Sequence, residues 1–256
     1  MLILLPPSEG KSAPESGPRL RSAALSFPAL ASTRRTVLEA LITLCRGDVD
    51  TAAAVLGLGP TQQGEVGVDA RLRSEPCAPA IEIYTGVLYE ALDATTLPPA
   101  GRRRLRESVA IASGLWGLVR PDDLIPAYRL SGDVNLPGIG PLHTVWRGPI
   151  SSILENTPGL IVDMRSGVYT NLGPVPDEAL GRAVTVRVLN ERQGKRTVVS
   201  HNNKATKGRL VRSLVTMTRR PKDVTGLLDA LEGEGYEVEL NPGRRQEPPI
   251  LDVILR

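Results

Sequence analysis

The sequence predicts an α/β (α+β) fold in one domain, a mixed β-sheet flanked by helices. Three observations carry this reading. Short apolar runs alternate with amphipathic stretches along the whole chain. The 256 residues are 41% hydrophobic and 23% charged, enough apolar matter for a core and too much for a disordered chain. No internal repeat or linker divides the chain, so residues 1–256 read as a single unit.

The elements follow in order. Leu2–Leu5 is a buried strand, and Pro6-Pro7-Ser8-Glu9-Gly10-Lys11 is the loop that leaves it. Pro14 to Phe27, rich in Ser, Pro and Gly, is irregular. Ser32 is placed to cap a helix carrying Val37, Leu38, Leu41, Ile42 and Leu44 on one face, with Gly47 as its stop. Thr51–Leu56 is a second short helix ending at Gly57. Gln62 to Pro79 has weak periodicity and reads as loop with some helix. Tyr84–Leu92 and Pro98–Glu107 read as helices, and Val109–Ala112 as a strand running into Ser113-Gly114. Leu142–Leu154 is helical, with Gly148-Pro149 expected to break or kink it. Leu160–Asp163 is a strand that delivers Asp163, Arg165 and Ser166 at its end. Val184–Leu189 and Thr197–Ser200 form a hairpin across Gln193-Gly194. Lys204–Met217 and Val224–Leu231 are helices, Tyr236–Leu240 is a strand, and Leu251–Leu255 is a last strand at a sheet edge.

Several function classes drop out. No apolar run approaches the roughly 20 residues that a membrane span needs. Pro6-Pro7 interrupts the N-terminal apolar run before a signal sequence could form, so the expected location is cytoplasmic. Cys45 and Cys77 are the only cysteines, too few for a disulfide framework. With His143 and His201 they show no ligand spacing, so neither a metal nor a cofactor is expected.

Charge is the more informative property. The net charge is only +3, but between Arg182 and Lys222 there are twelve Lys or Arg residues and one acid, Glu191. Such asymmetry suggests an anionic partner, although a solvated basic face would look the same.

Four loops carry candidate chemistry. Ser8, Glu9 and Lys11 place a hydroxyl, a carboxylate and an ammonium after the first strand, where α/β sheets present ligands. Ser113-Gly114-Leu115-Trp116-Gly117 precedes Arg120, and Tyr128-Arg129 follows. This group is suited to an anion contact and to stacking, or equally to packing Trp116 into the core. Leu136-Pro137-Gly138-Ile139-Gly140-Pro141 has the hydrophobic-glycine pattern of a helix-hairpin-helix turn. Without a helix before it, it reads as an ordinary loop. In His201-Asn202-Asn203-Lys204-Ala205-Thr206-Lys207-Gly208-Arg209, an asparagine can cap a helix, and Lys204 and Lys207 then share one face of its first turns. Two cations there oppose the helix dipole unless an anion lies between them. Arg209 and Arg212 extend the basic surface.

Leu5-Pro6-Pro7-Ser8-Glu9-Gly10-Lys11, Tyr84-Thr85-Gly86, Ser113-Gly114-Leu115-Trp116-Gly117, Arg120-Pro121, Asp123-Leu124, Tyr128-Arg129-Leu130, Trp146 and Lys204-x-x-Lys207-Gly208 occur in the order found in the YaaA family, which the chain resembles over nearly its whole length. The resemblance implies a bacterial protein of the hydrogen peroxide stress response, acting through lower free iron, and DNA binding through a positively charged cleft. It also implies a single α/β domain of unusual topology with a helix-hairpin-helix-like element. Carried over by position, its functional residues are Ser8, Glu9, Lys11, Arg120, Asp123, Tyr128, Arg129, Lys204 and Lys207.

Two readings therefore stand. In the first, Lys204, Lys207, Arg209 and Arg212, with Arg120 and Arg129, neutralise DNA phosphates while tyrosine or Trp116 stacks on bases. In the second, the Ser8–Lys11 loop, Asp163, Arg165, Lys204 and Lys207 line the pocket of an enzyme for a phosphorylated or nucleotide-like small molecule. A closed pocket of a few hundred Å³ favours the second, and an open groove the first. A basic scaffold for a protein partner is a third, plainer option.

Overall fold

The computed structural model describes residues 1–198 and 200–256, the side chains at 200–202 excepted. The chain opens with β1 (Leu2–Leu5), then packs α1 (Ala31–Cys45), α2 (Val49–Leu56) and α3 (Gly64–Asp69) together. Next come β2 (Cys77–Pro79), α4 (Ala80–Ile83), α5 (Val87–Leu92) and α6 (Pro99–Ser108). The hairpin β3 (Val109–Ser113) and β4 (Gly117–Val119) leads to β5 (Leu124–Pro126), which pairs with β2. A two-residue ladder, β6 (Asn135–Leu136) with β7 (Gly140–Pro141), precedes α7 (Leu142–Asn156). The last third holds β8 (Ile161–Asp163), α8 (Gly167–Asn171), β9 (Ala183–Arg192), β10 (Lys195–Thr197), α9 (Ser200–Thr216), α10 (Val224–Gly233), β11 (Glu237–Asn241) and β12 (Ile250–Leu255).

The main sheet runs β11-β12-β9-β8-β1-β3-β4, with β10 also on β9. The five strands from β12 to β3 are mutually parallel, and β11 and β4 close the edges antiparallel. Every residue of β1, β3 and β8 is buried, which explains why these strands read as unbroken apolar runs instead of alternating. From β1 the chain first moves to one side, to β3. It then returns to β8 on the other side and continues outward to β9 and β12. The winding therefore reverses between β1 and β8, and a crevice at the carboxyl ends of such a pair is where open α/β sheets bind ligands.

Several expectations need correction. The helix expected over Tyr84–Leu92 begins only at Val87, as α5: Tyr84 is extended beyond the end of α4, and Gly86 takes φ +89° and turns the chain between the two helices. Ser32 lies inside α1, which starts from a 3-10 turn at Pro28–Leu30 with no side-chain cap. α7 continues through Pro149 without a break. β12 is an interior strand between β9 and β11; the edge belongs to β11. The second arm of the β9 hairpin is Lys195–Thr197, earlier than expected. Residue 199 of the expected arm, and the side chains of His201 and Asn202, lie outside the described residues. Asn203 sits within α9, not at its cap.

Candidate anion-binding cleft

A cleft of about 600 Å³ lies over the carboxyl ends of β1 and β8. Its walls are the Pro6–Gly10 loop, the Thr85–Tyr89 corner, Met164, Ser166 and Tyr169 after β8, and Asn203, Lys204 and Lys207 of α9. A second hollow, of about 770 Å³, lies on the far side of Tyr84 and Tyr89 between α4, α5 and α6. The Arg106–Asp122 ion pair (2.7 Å) lines it, and it holds none of the candidate residues.

The first wall is built by polar contacts behind the loop. Ser8 Oγ donates to the Gly10 carbonyl (2.5 Å) and accepts the Thr85 N–H (3.0 Å), tying the loop to the turn at Gly86. Tyr89 OH donates to the Pro6 carbonyl (2.8 Å). Lys11 folds beneath the loop, where its Nζ donates to the Ser8 carbonyl (3.0 Å) and lies 4.6 Å from the centre of the Tyr128 ring. Arg129 donates from Nη1 to the Glu9 carbonyl (2.9 Å), and its amide donates to Asp69 Oδ1 (3.0 Å). Below them Tyr84 OH, Tyr128 OH and Ser113 Oγ form a hydrogen-bonded chain (2.9 and 2.6 Å) that joins the end of β3 to this wall. Burial, reinforced by Arg129, brings the Lys11 pKa down to about 8 despite Asp69, Glu65 and Glu9 nearby. Burial likewise raises Asp69 to about 8; its Oδ2 has no hydrogen-bond partner.

The opposite wall centres on β8. Arg165 grips Asp163 with a guanidinium fork (Nε–Oδ1 2.9 Å, Nη2–Oδ2 2.7 Å), and both side chains are buried. Lys207, 9% exposed, reaches in from α9 and donates to the Met164 carbonyl (2.9 Å). Burial lowers its pKa to about 8, and Asp163, already held by Arg165, offsets this only in part. Asn203 stands one turn earlier on the same helix, and its buried Oδ1 has no partner. Lys204 is exposed at the cleft.

Ser8, Glu9, Lys204 and Lys207 thus share the cleft lining. Lys11, Tyr128 and Arg129 brace it from behind. The remaining candidates lie elsewhere. Arg120 donates to the Val109 carbonyl (2.9 Å) at the amino end of β3, opposite the cleft, and stacks on Phe27. Asp123 accepts from the Ser26 hydroxyl and the Arg120 amide and has a structural part. Arg212 caps α5 through the Leu92 and Asp93 carbonyls (2.9 and 2.8 Å). Arg209 is exposed and bonds Thr206 Oγ1. Trp116 and Tyr128 are buried, so no base can stack on them. The glycines beside Trp116 serve packing: a Cβ on Gly117 would meet the Trp146 ring at 2.7 Å.

Half of the basic run between Arg182 and Lys222 is taken up by local contacts. Arg187 pairs with Asp252, Arg196 with Glu191 and Glu239, and Arg220 with Glu107; Arg182 binds carbonyls of the α7 end. Sequence reading missed Asp69 and Tyr169. Asp69 falls in a stretch without periodicity, and nothing around Tyr169 marked it. Cys45 is buried, and its thiol is pushed up to about 12 by burial and by Asp69, which disfavours the thiolate that peroxide reduction needs. Among the described residues no three His, Cys, Asp or Glu side chains gather as a metal site, and no helix is long and apolar enough to cross a membrane.

Comparison with known proteins gives a consistent result. Residues 1–241 match the family model described as peroxide stress protein YaaA. The chain is 46% identical to the UPF0246 protein SCO2297 of Streptomyces coelicolor, over 100% of this chain and 98% of that protein. It is 43% identical to the UPF0246 protein CE1889 of Corynebacterium efficiens, over 96% and 98%. A UPF0246 protein of Salinispora tropica is 31% identical over 96% and 92%.

Proposed function

The chain belongs to the peroxide stress protein YaaA family, and from that premise we propose that it works through the cleft between β1 and β8, on a small molecule bearing a phosphate or carboxylate. The carrying observation is Lys207: a buried ammonium in the cleft wall whose neighbouring carboxylate, Asp163, is committed to Arg165. An unmatched buried charge is costly, and an anion in the cleft relieves that cost. Lys204 adds a second cation at i−3 on the same face. The cleft volume of about 600 Å³ falls within the range of small-molecule sites.

Non-specific DNA binding is the second reading, and the observation favouring it is that Lys204 and Arg209 are both exposed on α9. The two readings separate by experiment. Thermal stabilisation is measured with inorganic phosphate, pyrophosphate and nucleoside monophosphates, and with a short DNA duplex, for the native chain and for Lys207→Met. We expect small anions to stabilise the native chain and the response to weaken by about tenfold in affinity in Lys207→Met, as fits loss of one charged contact. Stabilisation by the duplex alone, unchanged by Lys207→Met, overturns the small-molecule reading.

A further inference from the structure

Lys207 has more chemistry available than holding an anion requires. Its Nζ has one protein acceptor among the described residues, the Met164 carbonyl. Both oxygens of Asp163 are occupied by Arg165, so no carboxylate fixes Lys207 as a permanent ammonium. The side chain is buried yet opens on the cleft, where a reactant can reach Nζ and burial disfavours the charged form. Such a lysine supplies a neutral amine at moderate pH, which is the nucleophilic form. Beside it the unpartnered, buried Oδ1 of Asn203 can accept a hydrogen bond from a hydroxyl or an N–H formed at that point. Lys204, exposed one turn away, remains free to hold an anionic group.

We propose that Lys207 forms an imine with an aldehyde or ketone whose phosphate or carboxylate is held by Lys204. This rests on the cleft reading above and names its substrate class. In the step, the Nζ lone pair attacks the carbonyl carbon and the C=O π pair moves to oxygen. That oxygen takes a proton from nitrogen, giving a carbinolamine. A second proton from solvent lets the oxygen leave as water while the C=N bond forms. The balance is carbonyl plus ammonium giving protonated imine plus one water, with no oxidant or reductant.

The test uses pyridoxal 5′-phosphate as an aldehyde probe, followed by borohydride reduction and peptide mapping. The chain has five lysines, so the label can be assigned without ambiguity. The expected result is one label on Lys207, competed by excess inorganic phosphate, with labelling by unphosphorylated pyridoxal slower by about tenfold for want of the charged contact. Lys207→Arg keeps the charge and loses the label; Lys207→Met, checked for folding by circular dichroism, also loses it. Label confined to the exposed Lys195, Lys204 and Lys222, with phosphate stabilisation intact, overturns the imine and leaves the cleft reading standing. Label on Lys207 that phosphate does not compete also overturns the assignment of the substrate class. Absence of both label and phosphate stabilisation sinks both readings.

Discussion

At the residue scale, the buried Asp69 and Lys207 and the half-buried Lys11 set the expected pH response. Asp69 titrates near 8 in the fold against an ordinary 3.8. Between those values the folded chain holds a proton that the unfolded chain has released, so stability falls as pH rises from about 4 to about 8. Lys11 and Lys207 titrate near 8 against an ordinary 10.5. Between 8 and 10.5 the unfolded chain holds the extra protons, so their burial penalty is relieved and stability rises with pH. Denaturant melts across this range are expected to show a minimum near pH 8. Asp69→Asn should flatten the acidic limb and gain on the order of 1–3 kcal/mol at pH 8. Lys207→Met should remove about half of the alkaline rise, the two lysines having similar shifts. An unchanged profile in both variants would mean that these groups titrate normally. The paired lysines were legible from their spacing, since i and i+3 share a helix face. Asp69 was not, because a carboxylate in an aperiodic stretch carries no sign that the fold will bury it.

At the element scale, the crossing of α5 and α9 positions Lys204 and Lys207, and Gly208 permits it. A Cβ there would lie 2.2 Å from the Leu88 carbonyl oxygen and 2.9 Å from Ala91 Cβ. Alanine favours a helix over glycine by roughly 1 kcal/mol. That gain should be outweighed by overpacking, with Gly208→Ala destabilising by about 1–3 kcal/mol in urea unfolding and weakening phosphate binding as α9 shifts. A stabilised variant would show that the two helices can part without cost. Strong apolar runs made β1, β3 and β8 readable. The turn between α4 and α5 was not, because Tyr84–Leu92 satisfies helical spacing while Gly86 and the Ser8–Thr85 hydrogen bond, a contact 77 residues apart, impose the break. β4 and β5 are three residues each, too short to show a period, and the interior place of β12 depends on pairings that spacing does not encode.

At the scale of the whole molecule, the site arises from a reversal of winding between β1 and β8, a property of strand order. Local sequence could propose the loop at Ser8 and the face at Lys207, but only the sheet brings them to one cleft. Strand order also redistributes the charge run. β9 lies beside β12, which puts Arg187 opposite Asp252, and the edge strand β11 supplies Glu239 to Arg196. A linear count of twelve cations against one acid therefore overstates the positive field, since the acids arrive from elsewhere in the chain. This bears directly on how the protein should meet DNA. Each phosphate neutralised on a duplex contributes about 0.9 to the slope of log affinity against log salt. With Arg182, Arg187, Arg196, Lys207, Arg212 and Arg220 engaged internally, the run leaves six exposed cations, Arg192, Lys195, Lys204, Arg209, Arg219 and Lys222, to contact a backbone. Fluorescence anisotropy on a labelled duplex should accordingly give a slope no steeper than about 5 in magnitude, while phosphate binding in the cleft depends less on salt because only two cations, the exposed Lys204 and the buried Lys207, meet it. A slope of about 8 or more would require the internal ion pairs to open onto the duplex, and the electrostatic preference for a small ligand would then be lost.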